Sequence, residues 1–257
     1  MKIGIVGLGI VGRACQAGFE HCNYTVFVHD INLNTTIQDV LDTDIVYVCV
    51  PTNKDASIVE SVVHSLKQHN YQGVIAIKST VPPGTTQKLI DQYDNRIVFV
   101  PEFLKERSAE YDFIHNHKLC LIGANSIIPF DVVKRSHNGL PDRVQKLTPT
   151  EAELVKYYHN TFNAMRIVFA NTWFDICQTL DADYDRVKES FIEVNGVPDE
   201  YLDVEPGFRG YAGACLPKDV LAMHELCKQL DLPNELFNDI DKENKLFDTT
   251  VFAGMRS

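Results

Sequence analysis

The sequence predicts an α/β fold: a doubly wound parallel sheet with helices on both faces, then a helical region built on one long helix. Three observations carry this reading. Short apolar runs rich in β-branched residues recur through the first 145 residues, helix-spaced segments lie between them, and a long stretch after Thr148 has neither glycine nor any proline beyond Pro149. Strands alternating with helices build βαβ units, and strands buried on both faces read as continuous apolar runs.

In chain order the runs are KIGIVG from Lys2, TVFVHD from Thr25, DIVYVCV from Asp44, VIAIKS from Val74, RIVFVP from Arg96 and KLCLIG from Lys118. SIVESVVHSLKQH from Ser57 and GTTQKLIDQY from Gly84 carry helical spacing between them. These elements define a first domain over residues 1–145 and leave 146–257 as a helical second domain. In TPTEAELVKYYHNTFNAMRIVFANTWFDICQTL, Thr148 is an N-cap, Pro149 the first helical position and Glu151 the reciprocal capping residue. Roughly 30 residues of helix would span about 45 Å. Its apolar residues Leu154, Phe162, Met165, Val168, Phe169, Trp173 and Ile176 lie on more than one face. Such a helix packs on two sides, which predicts a second subunit and a homodimer.

A chain of 257 residues with 45% hydrophobic composition can bury a substantial core. Its formal charge of −11 excludes general affinity for nucleic acid or an anionic membrane surface, and no apolar run is long enough to cross a bilayer. Seven scattered cysteines, with no C-x-x-C spacing and no secretory signal, predict reduced thiols in a cytoplasmic protein. No metal is expected: the cysteine spacing gives no zinc pattern, and His115 and His117 read as solvated residues of a polar connection.

Gly7, Gly9 and Gly12 form G-x-G-x-x-G directly after the first run, a Rossmann-type turn that lets a pyrophosphate approach a helix N-terminus. With Ile10 and Val11 between them, these are the cofactor-binding candidates of the turn. The second run ends in Asp30, 18 residues after Gly12, where a carboxylate can accept from an adenosine ribose and would repel a 2′-phosphate. The expected cofactor is NAD. Ligands of such sheets lie outside the carboxyl ends of the strands, where the sequence puts Pro51 and Thr52, Thr80, and Glu102, Phe103, Leu104, Lys105 and Glu106. Lys156 and Asn160, four apart, share one face of the long helix. In GYAGACLPKD, Pro217 suits a first helical turn and places Cys215 just ahead of it, where unpaired amides and Lys218 would favour a thiolate. The alternative for Cys215 is a small buried residue, the commoner fate of a free cysteine.

With PEFLKE, STVPPGT, the Lys156 and Asn160 pair and GACLPKD in this order behind the glycine fingerprint, the chain resembles the UDP-glucose/GDP-mannose dehydrogenase family over nearly its whole length. The resemblance implies oxidation of the primary alcohol of a nucleotide sugar to a carboxylate with two NAD molecules. Cys215 would be the nucleophile, Lys156 the oxyanion stabiliser, Asp219 the residue ordering a water, Thr80 and Glu102 part of the proton network, and Asn160 the sugar-positioning amide. Glu106 and Lys218 would face the nicotinamide side. Phe103, Leu104, Lys105, Arg209 and Ala212 would join Glu102, Lys156 and Asn160 as substrate-binding residues.

The chain also departs from the family. Only 14 residues separate Asp30 from Asp44, Ala212 stands where glycine is usual, and Arg209 is an extra residue between Pro206 and Cys215. The second domain reaches Ser257, the last residue of the sequence, so the family's C-terminal nucleotide-binding domain is expected to be absent. Two alternatives follow: a two-electron hydroxy-acid dehydrogenase, which needs no cysteine, and a non-catalytic NAD- or sugar-nucleotide-binding remnant.

Overall fold

The computed structural model describes residues 1–52, 55–207 and 209–247. By packing, the chain falls into two compact units, Met1–Lys156 and a second from Tyr157 onward. In the first, β1 (Lys2–Val6), β2 (Thr25–His29), β3 (Ile45–Val48), β4 (Val74–Ile77), β5 (Ile97–Phe99), β6 (Leu119–Gly123) and β7 (Arg143–Leu147) form one sheet in the order β2-β1-β3-β4-β5-β6-β7. The helices between them are α1 (Ile10–His21), α2 (Ser57–Gln68), α3 (Thr85–Gln92), α4 (Ala109–His115) and α5 (Ile127–Ser136).

Alternation along the strands divides the core into two layers. Ile3, Ile5, Ile45 and Tyr47 face Phe19 of α1, Phe113 of α4 and Val133 of α5. Val46, Val48, Ile75 and Ile77 face Val59, Val63 and Leu66 of α2 and Leu89 and Ile90 of α3. Strands covered on both faces need apolar residues at every position, which is why these runs are unbroken.

The sheet is mostly parallel, and it departs from the expected all-parallel arrangement at one join: β6 pairs antiparallel with β5. The helix in that connection, α4, has seven residues and spans about 10 Å, too short to carry the chain back to the other end of the sheet. The sixth strand therefore starts at the end where the fifth finished. β7, parallel to β6, continues the sheet to Leu147. Its sequence RVQKL lacks an apolar run: the strand is mostly exposed, and its charged residues guard the open backbone of this edge.

The unit boundary falls within α6 (Pro149–Thr179). Its start is the expected capping box: Thr148 N donates to Glu151 Oε2 at 2.8 Å and Glu151 N to Thr148 Oγ1 at 3.3 Å. The second unit adds α7 (Tyr184–Asn195), α8 (Leu216–Gln229) and α9 (Glu235–Asn244). Its buried apolar clusters are small, one around Ala164, Val168, Tyr211, Val220 and Ile240, the other around Ala170, Cys177, Tyr184 and Leu202. Of the apolar residues expected on several faces of the long helix, Val168 is buried, whereas Leu154, Phe162, Met165, Phe169, Trp173 and Ile176 are exposed.

Candidate functional site

The glycine turn links β1 to α1. Gly7 has φ +94°, a left-handed conformation that suits glycine, and a Cβ on Gly12 would lie 1.9 Å from the Gly7 carbonyl oxygen. Among the described residues, a Cβ on Gly9 would meet nothing within 4 Å. Gly9 is also the N-cap of α1 and caps it with no side chain, so the first-turn amides of Ile10, Val11 and Gly12 are offered to an incoming anion. A dinucleotide's pyrophosphate fits this opening. Asp30 Oδ2 accepts from Leu8 N at 2.6 Å, and Oδ1 accepts from Asn32 N at 2.8 Å. These amides hold its carboxyl below the usual range, so a full negative charge stands at the end of β2. Arg13, which the sequence reading passed over, donates from Nε to Leu8 O and adds a cation to the turn.

At the other strand ends, Pro51 is exposed while Thr52 and Thr80 are half-buried. The loop after β5 is the most organised. Lys156 Nζ donates to the Glu102 carbonyl at 2.6 Å and to its Oε1 at 3.0 Å, and Leu104 N donates to Oε2 at 2.8 Å. Lys156 Nζ also lies 5.4 Å from the Phe103 ring centroid. Burial pushes the Glu102 carboxyl upward, but Lys156, the Leu104 amide and Lys78 outweigh it and hold the pKa below its ordinary value. Lys105 and Glu106 are exposed, Phe103 and Leu104 half-buried.

Glu153 is a further positioning residue that the sequence reading missed. Fully buried on α6, it accepts from Gly84 N at 2.6 Å and Thr86 N at 2.8 Å, tying the start of α3 to the helix that carries Lys156. Its partners lie more than sixty residues away, and only the AE pair ahead of Lys156 could have drawn attention to it.

In the second unit, Asn160 Nδ2 donates to Asp219 Oδ2 at 2.5 Å, both residues being buried. Lys218 Nζ stands 2.9 Å from Asp219 Oδ1 as an ion pair, yet that oxygen accepts no well-directed hydrogen bond among the described residues. Its remaining lone pairs suit a water. Cys215 is the N-cap of α8, with Pro217 in the first turn as expected, and it is exposed. That overturns the reading of Cys215 as a small buried residue: the loop lifts it out of the packed interior. Its carbonyl accepts from Asp219 N at 3.0 Å, so one helical turn links the two residues.

The loop ahead of Cys215 is pinned from both sides. Asn244 on α9 accepts from Tyr211 N at 2.7 Å and donates to Tyr211 O at 2.9 Å. Arg209 donates to Asn171 Oδ1 and O, pairs with Asp175 at 2.9 Å, and lies over the Phe174 and Phe247 rings at 4.9 and 5.1 Å. The extra residue of this loop is thus an anchor to α6. Ala212 beside it is half-buried.

Residues 32–135 match the description "UDP-glucose/GDP-mannose dehydrogenase family, NAD binding domain", and residues 150–246 match the central domain of the same family. The chain belongs to the UDP-glucose/GDP-mannose dehydrogenase family. It is 28% identical to a UDP-glucose 6-dehydrogenase of Rickettsia bellii over 223 residues, covering 81% of this chain and 50% of that protein. It is 25% identical to a GDP-mannose 6-dehydrogenase of Pseudomonas aeruginosa, covering 95% of this chain and 68% of that one. Among solved structures, a UDP-glucose dehydrogenase from Pyrobaculum islandicum superposes with a TM-score of 0.86 at 24% identity, over 95% of this chain and 68% of that chain. The chain spans about half the length of the Rickettsia relative. Among the described residues, no helix is long and apolar enough to cross a membrane.

Proposed function

We propose that this family member oxidises the C6 primary alcohol of a nucleotide sugar to a carboxylate, with UDP-glucose to UDP-glucuronate as the default substrate pair. Two NAD molecules, bound in turn at the glycine turn and Asp30, would each accept one of the two hydrides. Residues 1–145 are the NAD-binding domain in this reading and 146–257 the central domain, and the protein is a cytoplasmic homodimer. The exposed aromatic and aliphatic residues of α6 support the dimer.

The observation that carries the proposal is the exposed Cys215 at the start of α8, one turn ahead of the buried Asp219 that Asn160 holds. The alcohol loses a hydride and a proton to become an aldehyde, and the Cys215 thiolate adds to its carbonyl carbon. Loss of a second hydride from that adduct leaves a thioester, which water hydrolyses to release the carboxylate and regenerate the thiol. Lys156 holds the oxyanions and Asp219 orders the water, while Glu102 and Thr80 relay protons and Asn160 positions the sugar. Phe103, Leu104, Lys105, Arg209 and Ala212 complete the substrate contacts; Pro51, Thr52, Glu106 and Lys218 complete those to the cofactor.

The test is the NADH formed per sugar consumed, with UDP-glucose, GDP-mannose and N-acetylated UDP-sugars in turn. Two per sugar, abolished in Cys215→Ala, is the expected result. One per sugar, untouched by that substitution, identifies a two-electron dehydrogenase instead. Binding of NAD with no turnover on any sugar identifies a non-catalytic binder.

A further inference from the structure

Within the first unit, on the α4 and α5 side of the sheet, His117, Cys120 and His137 bring one ligand atom each to within 4.8 Å of one another. None belongs to the residues assigned above. His117 and Cys120 flank the entry to β6, and His137 follows α5, so a short H-x-x-C segment meets a histidine 17 residues further on. The sequence reading paired His117 with His115 and left both solvated; the fold turns His117 inward instead, half-buried beside two buried partners.

The geometry points to a site for a borderline-soft divalent cation, zinc above all, held by two imidazoles and one thiolate. His137 Nδ1 lies 2.9 Å from the Val133 carbonyl, which can only accept, so Nδ1 carries the proton and the bare lone pair is on Nε2. That Nε2 is 3.8 Å from Cys120 Sγ. Zinc bonds of about 2.0–2.3 Å place tetrahedral ligand atoms roughly 3.4–3.7 Å apart, so this pair already has nearly the required spacing. The carbonyl behind Nδ1 is the outer support that orients a ligating histidine. Phe113 stacks on His137 at 5.7 Å and Phe19 meets it edge-on at 5.6 Å, fixing the ring.

His117 supplies the third donor. Its Nδ1 is buried and makes no well-directed hydrogen bond among the described residues, the Phe113 carbonyl approaching the ring only as a weak acceptor. Because His117 is the most exposed of the three, it is the ligand able to close by about 1 Å and the side from which an ion enters. Burial first, and Lys78 second, lower the histidine pKa values to about 4 for His117 and about 3 for His137, so both are neutral donors near pH 7. Lys78 opposes a further cation, and burial outweighs its pull on Cys120 and pushes the thiol up to about 11, so the thiolate forms only as the ion displaces its proton. Binding replaces the thiol S–H bond by a metal–sulfur bond and releases one proton to solvent for each ion.

The experiment uses the full chain carrying Cys215→Ala, which removes the exposed thiol from competition. Zn²⁺ is titrated against a chromogenic chelator, and Co²⁺ is added separately as the spectroscopic probe. One ion per chain, one proton released and a near-ultraviolet thiolate-to-cobalt charge-transfer band are expected. Cys120→Ala should abolish the band, and His117→Ala, a change at a half-exposed position, should weaken zinc binding by at least about 100-fold. A charge-transfer band that survives Cys120→Ala, or zinc affinity unchanged in His117→Ala, overturns the site, as does the absence of stoichiometric binding in the parent chain.

Discussion

In the unit Met1–Lys156 the candidate residues stand mostly at the ends of strands packed on both faces, whereas from Tyr157 onward they depend on individual side-chain hydrogen bonds. Gly7, Asp30, Thr80 and Glu102 follow β1, β2, β4 and β5, whose places are set by two large apolar layers. Full burial of each large side chain there contributes about 1.5–3 kcal/mol. Around GYAGACLPKD the apolar clusters are small, and Asn244, Asn171 and Asn160 hold Tyr211, Arg209 and Asp219. Topology positions one set of residues and polar pins the other, so the two should fail in different ways.

The sharpest way to separate them is Gly12→Val. A Cβ 1.9 Å from the Gly7 carbonyl forces the turn apart, and NAD affinity should fall at least a hundredfold, about 2.7 kcal/mol. Equilibrium titration of NAD measures this, while the alkylation rate of Cys215 should stay unchanged. A parallel change in thiol reactivity would break the distinction.

Lys156→Met comes next, because it strands the Glu102 carboxylate in a site where its side chain is 12% exposed. Removing one partner of a buried pair costs about 3–5 kcal/mol, read from chemical denaturation. The pH dependence has a definite sign. A carboxyl with a lowered folded pKa contributes stability that is complete above its ordinary value of 4.5 and is lost as pH falls through the folded pKa. The parent chain should therefore lose stability below pH 4.5 more steeply than the variant, and equal slopes would show that the pair is not the source.

Asn244→Ala should have the smallest global effect. Tyr211 loses two backbone hydrogen bonds, each worth about 0.5–1.5 kcal/mol net once water replaces the amide. Hydrogen exchange at the Tyr211 amide should accelerate and Cys215 alkylation should change, with NAD affinity unaltered. Unchanged exchange would mean that the loop is held by something other than this pin.

Much of the first unit was legible because its signals are local. The glycine fingerprint, six strand runs and the Thr148 capping box each lie within a few neighbouring residues, and the long helix followed from an uninterrupted composition. The antiparallel join at β6 was not legible, since it depends on the length of α4 and on where that helix packs. β7 escaped because RVQKL, mostly exposed, carries charge instead of an apolar run. Glu153 and Asn244 escaped because their partners lie 67 to 69 and 33 residues away.

The sequence by itself determined the alternation of strands and helices, the anion-binding turn, the acidic end of β2 and the placing of Cys215 ahead of a helix. Those features rest on backbone preferences and short periodicities that any segment carries with it. The tertiary structure alone decided that Cys215 is exposed, that Lys156 closes on Glu102 and Asn160 on Asp219, and that His117 turns toward Cys120 and His137. Each of those depends on side chains brought together across the fold, where burial removes water and makes a single well-placed partner decide the energy of a polar group.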